Sequence, residues 1–181
     1  MNIPNLITIF RIILIPIFLV IFHSEIENNV LYGGLIFILA GISDVLDGQI
    51  ARRFNLTTKL GAALDPFADK LMSFAVLISF TIAGFIPYFI LIPMVIKELV
   101  MILGGFILYL RKDKRVIPAN KYGKLATFSL YASITSIVIK FPVDIIRILL
   151  IITLLLNLVA FYNYLKIFLG IKVKSNTVDK N

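Results

Sequence analysis

Six apolar runs, at roughly residues 5–23, 30–53, 60–83, 88–110, 121–140 and 144–169, occupy most of this 181-residue chain. A helix crosses a hydrocarbon layer with about 17–25 residues, and every run reaches that length. Hydrophobic residues make up 60% of the chain, against about 45–50% in ordinary globular proteins. A soluble domain of this size has too little interior to bury that excess, so lipid is the expected solvent. The connections are short, which makes neighbouring helices antiparallel. The sequence thus predicts an all-α integral membrane protein of six transmembrane helices. One membrane domain covers residues 1–170, and a polar, frayed tail follows at 171–181. No second domain, internal repeat or low-complexity tract interrupts this pattern.

Several chemistries are excluded early. With no Cys there are no disulfides or thiolate metal sites, and a single His, His23, rules out a histidine-rich zinc site. His23 stands beside Glu25 in an expected outer loop and reads as a surface residue. The formal net charge of +8 does not point to nucleic acid, because Lys and Arg gather at the ends of apolar runs, where they suit anionic head groups. The fifteen Phe and seven Tyr read as lipid-facing or packing groups. The first run has no basic segment before it and no small-residue cleavage site after it, so it reads as retained. Arg53 and Lys59, the loop "RKDKRVIPANK", and Lys172, Lys174 and Lys180 mark one side of the membrane. "HSEIENN" and "GFIP" carry no Lys or Arg, while Lys140 and Arg147 are mild exceptions. The positive-inside rule then puts both termini and the turn between the second and third helices in the cytoplasm, for a multi-pass protein of the cell membrane.

That turn joins the two most unusual segments. "SDVLDGQIARRFNLTTKLGAALDPFADK" sets Asp44 and Asp47 three apart, with Gly48, Ala51 and Arg52 continuing the face, and Asp65 and Asp69 four apart, with Gly61 one turn earlier. Residues so spaced share a helix face. Asp44 lies nine residues before Arg53 and Asp69 nine after Leu60, while Asp47 and Asp65 lie six and five away. At about 1.5 Å per residue, an antiparallel hairpin brings all four carboxylates to one zone, about 8–14 Å inside the helix ends. Unpaired, they would repel one another, and a cation reverses that logic. Oxygen ligands alone favour a hard ion, Mg²⁺ or Mn²⁺, and four Asp can hold two such ions. Gly48 and Gly61 let a bulky ligand approach the backbone, and Arg52 can fork onto phosphate. Helix-end aspartates often merely face water; four at matched depth with Gly, Ala and Arg at fixed offsets argue for a functional site. Pro66 either marks a first helical turn or lies within the third helix and frees the carbonyl of Ala62.

Asp44-x-x-Asp47-Gly48-x-x-Ala51-Arg52, then after eight residues Gly61-x-x-x-Asp65-x-x-x-Asp69, resembles the complete signature of the CDP-alcohol phosphatidyltransferase family. "NIPNLITIFRIILIP" and "LGAALDPFADKLM" are similar to the first and third helices of its bacterial members that use glycerol 3-phosphate. The resemblance implies a homodimer with a two-metal site in a polar cavity that opens to the cytoplasm. Asp44, Asp47 and Asp65 are then metal ligands, and Asp69 is a metal neighbour and general base. Gly48, Arg52 and Gly61 contact the CDP part of the donor, with Ala51 in the same donor-binding face. The implied reaction moves the phosphatidyl group of CDP-diacylglycerol to glycerol 3-phosphate and releases CMP. Asn5, Thr8 and Arg11, on one side of the first helix, either line the donor site or anchor the helix at the interface.

The acceptor is less sharply marked. Glycerol 3-phosphate users commonly carry Arg-Glu in the fourth helix and Gly-Lys-x-Lys-Thr near the fifth. This chain has Lys97-Glu98 and "GKLAT", with Ala126 in place of the second Lys. Lys97 and Lys124 are the expected acceptor-binding cations, because an anionic acceptor among carboxylates needs positive charge nearby. The competing reading makes Lys97–Glu98 a buried network that only orients helices. A cardiolipin synthase of the same family, with phosphatidylglycerol as acceptor, is the alternative function. A transporter is disfavoured: its carboxylates belong near the midplane, often on broken helices, and these lie toward one interface.

Overall fold

The computed structural model describes the backbone of residues 3–54, 59–110 and 121–178, with side chains except at 3–6, 47–54, 59–66, 105–110 and 170–178. Its elements are α1 (Ile3–Phe22), α2 (Asn29–Phe54), α3 (Lys59–Ile82), α4 (Tyr88–Leu110), α5 (Lys121–Val138) and α6 (Val143–Val178). There is no strand among the described residues. The bounds follow the apolar runs to within two residues, with one exception. Helix α6 does not stop at 169 but continues through the polar segment to Val178, so that part of the tail is helical rather than frayed. Once nucleated, a helix adds residues cheaply, and the tail up to Val178 contains neither Gly nor Pro beyond Gly170 to stop it. Helix α3 begins at Lys59, which puts Pro66 inside it.

The turns have clear local causes. At the end of α3, Phe85 N–H donates to Phe80 O at 2.9 Å and Gly84 N–H to Thr81 O at 2.9 Å, with Gly84 at φ +81°. This is a Schellman cap, whose left-handed position glycine fills without a Cβ penalty. Helix α5 ends the same way, with Lys140 at φ 56° in that position and Phe141 N–H donating to Ser136 O at 2.9 Å. Between α1 and α2, Asn29 Nδ2 donates to Phe22 O at 2.8 Å and to Ser24 O at 3.0 Å.

The chain forms two compact units. The first holds α1, α2, α3 and residues Ile134–Phe141. Helix α1 packs against both α2 and α3 through a buried line of Thr8, Arg11, Leu14, Phe18 and Phe22. Phe22 meets Phe80 at 4.8 Å between ring centroids and Phe18 at 5.3 Å. Gly34 admits Val138: a Cβ there would lie 2.1 Å from Val138 Cγ2. Lipid tails remove most of the hydrophobic drive between helices, so small residues and close packing carry their association.

The second unit holds α4, α5 as far as Ser133, and α6. Helices α4 and α6 pack together, with Tyr164 Oη donating to Met101 O at 3.1 Å. Gly104 makes room, since a Cβ there would lie 2.6 Å from that hydroxyl oxygen. Ser129 and Ser133 on α5 both bond the Thr153 hydroxyl of α6, at 2.6 and 3.0 Å.

Outward faces are greasy. Among the described residues, Asn29–Leu46 and Val143–Leu169 are long and apolar enough to cross a membrane, and only 22% of each stretch is buried. Leu155, Ile148, Ile151, Phe89 and Phe128 all stand exposed. Water-soluble monomers rarely expose contiguous apolar surface on this scale, whereas lipid favours it.

Candidate active site

The packing stripes of the first unit run directly into the acidic segment. On α2, Gly33, Phe37 and Ala40 are buried, and steps of three and four residues carry that line on to Asp44, Asp47 and Ala51. On α3, the buried Val76 and Met72 lead back by the same steps to Asp69 and Asp65. On α1 the line Phe22, Phe18, Leu14 ends in Arg11 and Thr8, each 1% exposed. One face of each helix is therefore apolar along most of its length and polar toward one end.

At that end the Arg11 guanidinium meets the Asp44 carboxylate, Nη1 to Oδ1, at 2.5 Å. The two side chains differ sharply: that of Arg11 is 2% exposed and that of Asp44 is 43% exposed. Arg11 thus supports Asp44 from the protein side. Asp69 on α3 is partly accessible, with Lys70 Nζ 3.8 Å from its Oδ2. Beside these residues an apolar cleft of about 520 Å³ opens between α1 and α2, lined by Ile7, Ile9, Phe10, Ile13, Ser43 and Leu46.

The side chains of Asp47, Arg52 and Asp65, with Asn5, Gly48, Ala51 and Gly61, lie outside the described residues, although their backbones belong to α1, α2 and α3. Two of the four carboxylates are described, and no group of three or more His, Cys, Asp or Glu gathers among the described residues. The donor chemistry nevertheless suits a hard divalent cation. Asp44 has one oxygen ion-paired with Arg11 and a carboxylate that is still part-exposed, and ligating groups are typically supported from behind by outer-sphere partners.

In the second unit, Lys97 is 7% exposed. Its Nζ lies 2.6 Å from Glu98 Oε1 and donates to Asn157 Oδ1 at 2.8 Å. Asn157 in turn donates from Nδ2 to Thr153 O at 2.9 Å. Neighbouring residues on a helix point about 100° apart, yet both side chains are long enough to close the pair. Lys124 is exposed, and Ala126 is 2% exposed. The sequence reading missed Asn157 as Lys97's partner. Its signal was present: a polar amide inside the last apolar run, four residues after Thr153. His23, exposed as anticipated, bonds Ser79 Oγ through Nε2 at 3.1 Å.

Fold and surface together define an all-α integral membrane protein with carboxylates and a buried guanidinium on its packing faces. The profile of the CDP-alcohol phosphatidyltransferase family matches residues 1–161, and the chain belongs to that family. The chain is similar to the CDP-diacylglycerol–glycerol-3-phosphate 3-phosphatidyltransferase of Aquifex aeolicus, with 33% identity over 175 residues covering 91% of this chain and 94% of that protein. The protein of the same name from Haemophilus influenzae is 51% identical over 77 residues, 42% of either chain. A putative cardiolipin synthase of Mycobacterium tuberculosis is 30% identical over 139 residues, 77% of this chain and 65% of that one. The matched stretch thus spans less than half of the Haemophilus relative and just under two thirds of the mycobacterial one.

Proposed function

We propose that this chain transfers the phosphatidyl group from CDP-diacylglycerol to glycerol 3-phosphate, releasing CMP and forming phosphatidylglycerophosphate. The observation that carries the proposal is the complete signature from Asp44 to Asp69, set on α2 and α3. The near full-length similarity to a relative named for this reaction supports it.

In this reading Asp44, Asp47 and Asp65, with Asp69 beside them, hold two divalent cations, Mg²⁺ or Mn²⁺; the family is generally divalent-cation dependent. When bound, such ions neutralise a pyrophosphate and ease departure of the nucleotide. The chain's own groups do the rest. Asp69 accepts the proton of the acceptor hydroxyl at a carboxylate oxygen as that hydroxyl attacks the lipid-side phosphorus. Gly48 and Gly61 leave room for the CDP moiety, beside Ala51 on the same face, and Arg52 donates to its phosphate. Asn5 joins them from α1, while Thr8, 1% exposed, lies with Arg11 in the helix packing. The apolar cleft between α1 and α2 suits the donor's acyl chains in chemistry. Lys97 and Lys124 are assigned to the acceptor phosphate, Lys124 as the exposed cation and Lys97 from within its bonded network.

The distribution of Lys and Arg supports a multi-pass cell-membrane protein of six spans, with the active site and both termini cytoplasmic. The family resemblance supports a homodimer and a polar cavity open to the cytoplasm.

One observation favours a second reading. Ala126, which stands where glycerol 3-phosphate users commonly carry Lys, is buried at 2% exposure. One cation fewer suits the singly charged phosphodiester of phosphatidylglycerol, as in a cardiolipin synthase, better than the phosphomonoester of glycerol 3-phosphate. Incubating the purified protein with CDP-diacylglycerol and each acceptor, with products identified by mass spectrometry, decides between them. Phosphatidylglycerophosphate supports the proposal, and cardiolipin alone replaces it.

A further inference from the structure

We infer that Arg11 is a positioning residue for Asp44, fixing one carboxylate oxygen from behind so that the carboxylate is pre-set for a divalent cation. The inference rests on the proposed metal-binding role of Asp44. A donor-contacting Arg11, one of the two readings its place on the first helix allows, needs a guanidinium within reach of a ligand. Instead Arg11 is 1% exposed and sits in the buried line of α1 between Thr8 and Leu14, where an arginine costs most. A permanently charged guanidinium is sustained at such depth only by a matched anion. The anion is Asp44 Oδ1 at 2.5 Å. Asp44 meanwhile keeps 43% of its side-chain surface open. The pair is asymmetric: the cation is wholly committed to the protein interior and the carboxylate is only half so. That is the arrangement of an outer-sphere support and its ligand, in which the support removes rotamer freedom from the ligand before the ion arrives. Helix α1 packs on both α2 and α3, so it is also the element able to deliver such a support.

The test measures Mn²⁺ binding to the purified, substrate-free protein by electron paramagnetic resonance titration. The proteins are wild type, Arg11→Met, Arg11→Lys and Asp44→Asn. Loss of an outer-sphere partner typically weakens metal binding about 10–100-fold, and Arg11→Met should fall in that range. Arg11→Lys retains the charge but not the reach of the guanidinium, and should recover part of the loss. At saturating Mn²⁺, the KM for CDP-diacylglycerol in Arg11→Lys should change by less than its Mn²⁺ dissociation constant does. If Arg11→Met does not fold, Arg11→Lys carries the comparison alone. Wild-type Mn²⁺ affinity in the Arg11 variants, with affinity lost in Asp44→Asn, overturns the positioning role and leaves the metal reading intact. Wild-type affinity in Asp44→Asn overturns the metal reading at this residue and the inference with it. A donor KM that rises while Mn²⁺ affinity holds returns Arg11 to direct donor contact.

Discussion

The buried Lys97–Glu98 pair allows a prediction with a worked magnitude. The two side chains are 9% and 13% exposed, so the near-zero worth of a surface ion pair does not apply. Removing one partner of a buried pair leaves an uncompensated charge and costs about 3–5 kcal/mol. Lys97→Gln keeps some hydrogen bonding to Asn157 Oδ1, so about 3 kcal/mol is expected for it. Glu98→Gln strips the carboxylate from an ammonium whose Asn157 bond at 2.8 Å cannot supply charge, and about 3 kcal/mol is expected again. The doubly neutral Lys97→Met/Glu98→Leu protein has no charge left to strand, and should lose less than either single variant. Denaturant titration in detergent micelles, followed by helical circular dichroism, measures all three. A doubly neutral protein that loses as much as the two single variants together would refute the coupling. The same variants address the acceptor. In Lys97→Gln the KM for glycerol 3-phosphate should rise more than that for CDP-diacylglycerol. An equal rise in both confines Lys97 to helix orientation.

Three further outcomes follow from the first unit. Asp47→Asn and Asp65→Asn should each lower transfer by about 100-fold or more with helical content unchanged, and Asp44→Asn should do so while also lowering stability, because it strands the buried Arg11; chelation of divalent ions should lower transfer equally in the wild type, and full turnover in verified metal-free buffer would remove the two-metal reading. Asp69→Asn should lower kcat by about 100-fold or more, a general-base effect, with a smaller change in donor KM; the opposite split makes Asp69 a ligand only. Gly34→Leu places a side chain where even a Cβ would sit 2.1 Å from Val138 Cγ2, and overpacking of this kind costs about 1–3 kcal/mol; an unchanged thermal midpoint in detergent would show that α2 and the end of α5 yield there freely.

What could be read from the sequence and what could not divides along a physical line. Helix bounds were legible because the bilayer sets a length, and each apolar run between polar turns meets it. The one failure, the end of α6, lies where that constraint stops: past Leu169 no hydrocarbon edge dictates termination, and the polar segment continues the helix to Val178. The acidic faces were legible because helical spacing is rigid, so Asp44 and Asp69 fall on the extensions of their helices' buried lines. Side-chain partnerships between helices were not, since they depend on the rotation of one helix against another, which no spacing within a helix contains. Arg11 illustrates the point. Its place three residues after Thr8 was plain, but its neighbour could equally have been a ligand phosphate, a head group or a carboxylate, and only the packing of α1 on α2 selects Asp44. Asn157 is the same case, invisible as Lys97's partner until α4 and α6 meet. Both partnerships place a long cation of one helix against a short oxygen-bearing side chain of another. A sequence search for such polar singletons on otherwise apolar faces would therefore have found the residues, though not their pairing. Within the first unit the consequence is mechanical. The same faces that pack α1 against α2 and α3 through Phe18, Phe22, Phe37 and Phe80 also carry Arg11, Asp44 and Asp69, so a packing change at the apolar end rotates the polar end with it. Substitutions along that apolar line should accordingly disturb activity even though no substrate reaches them.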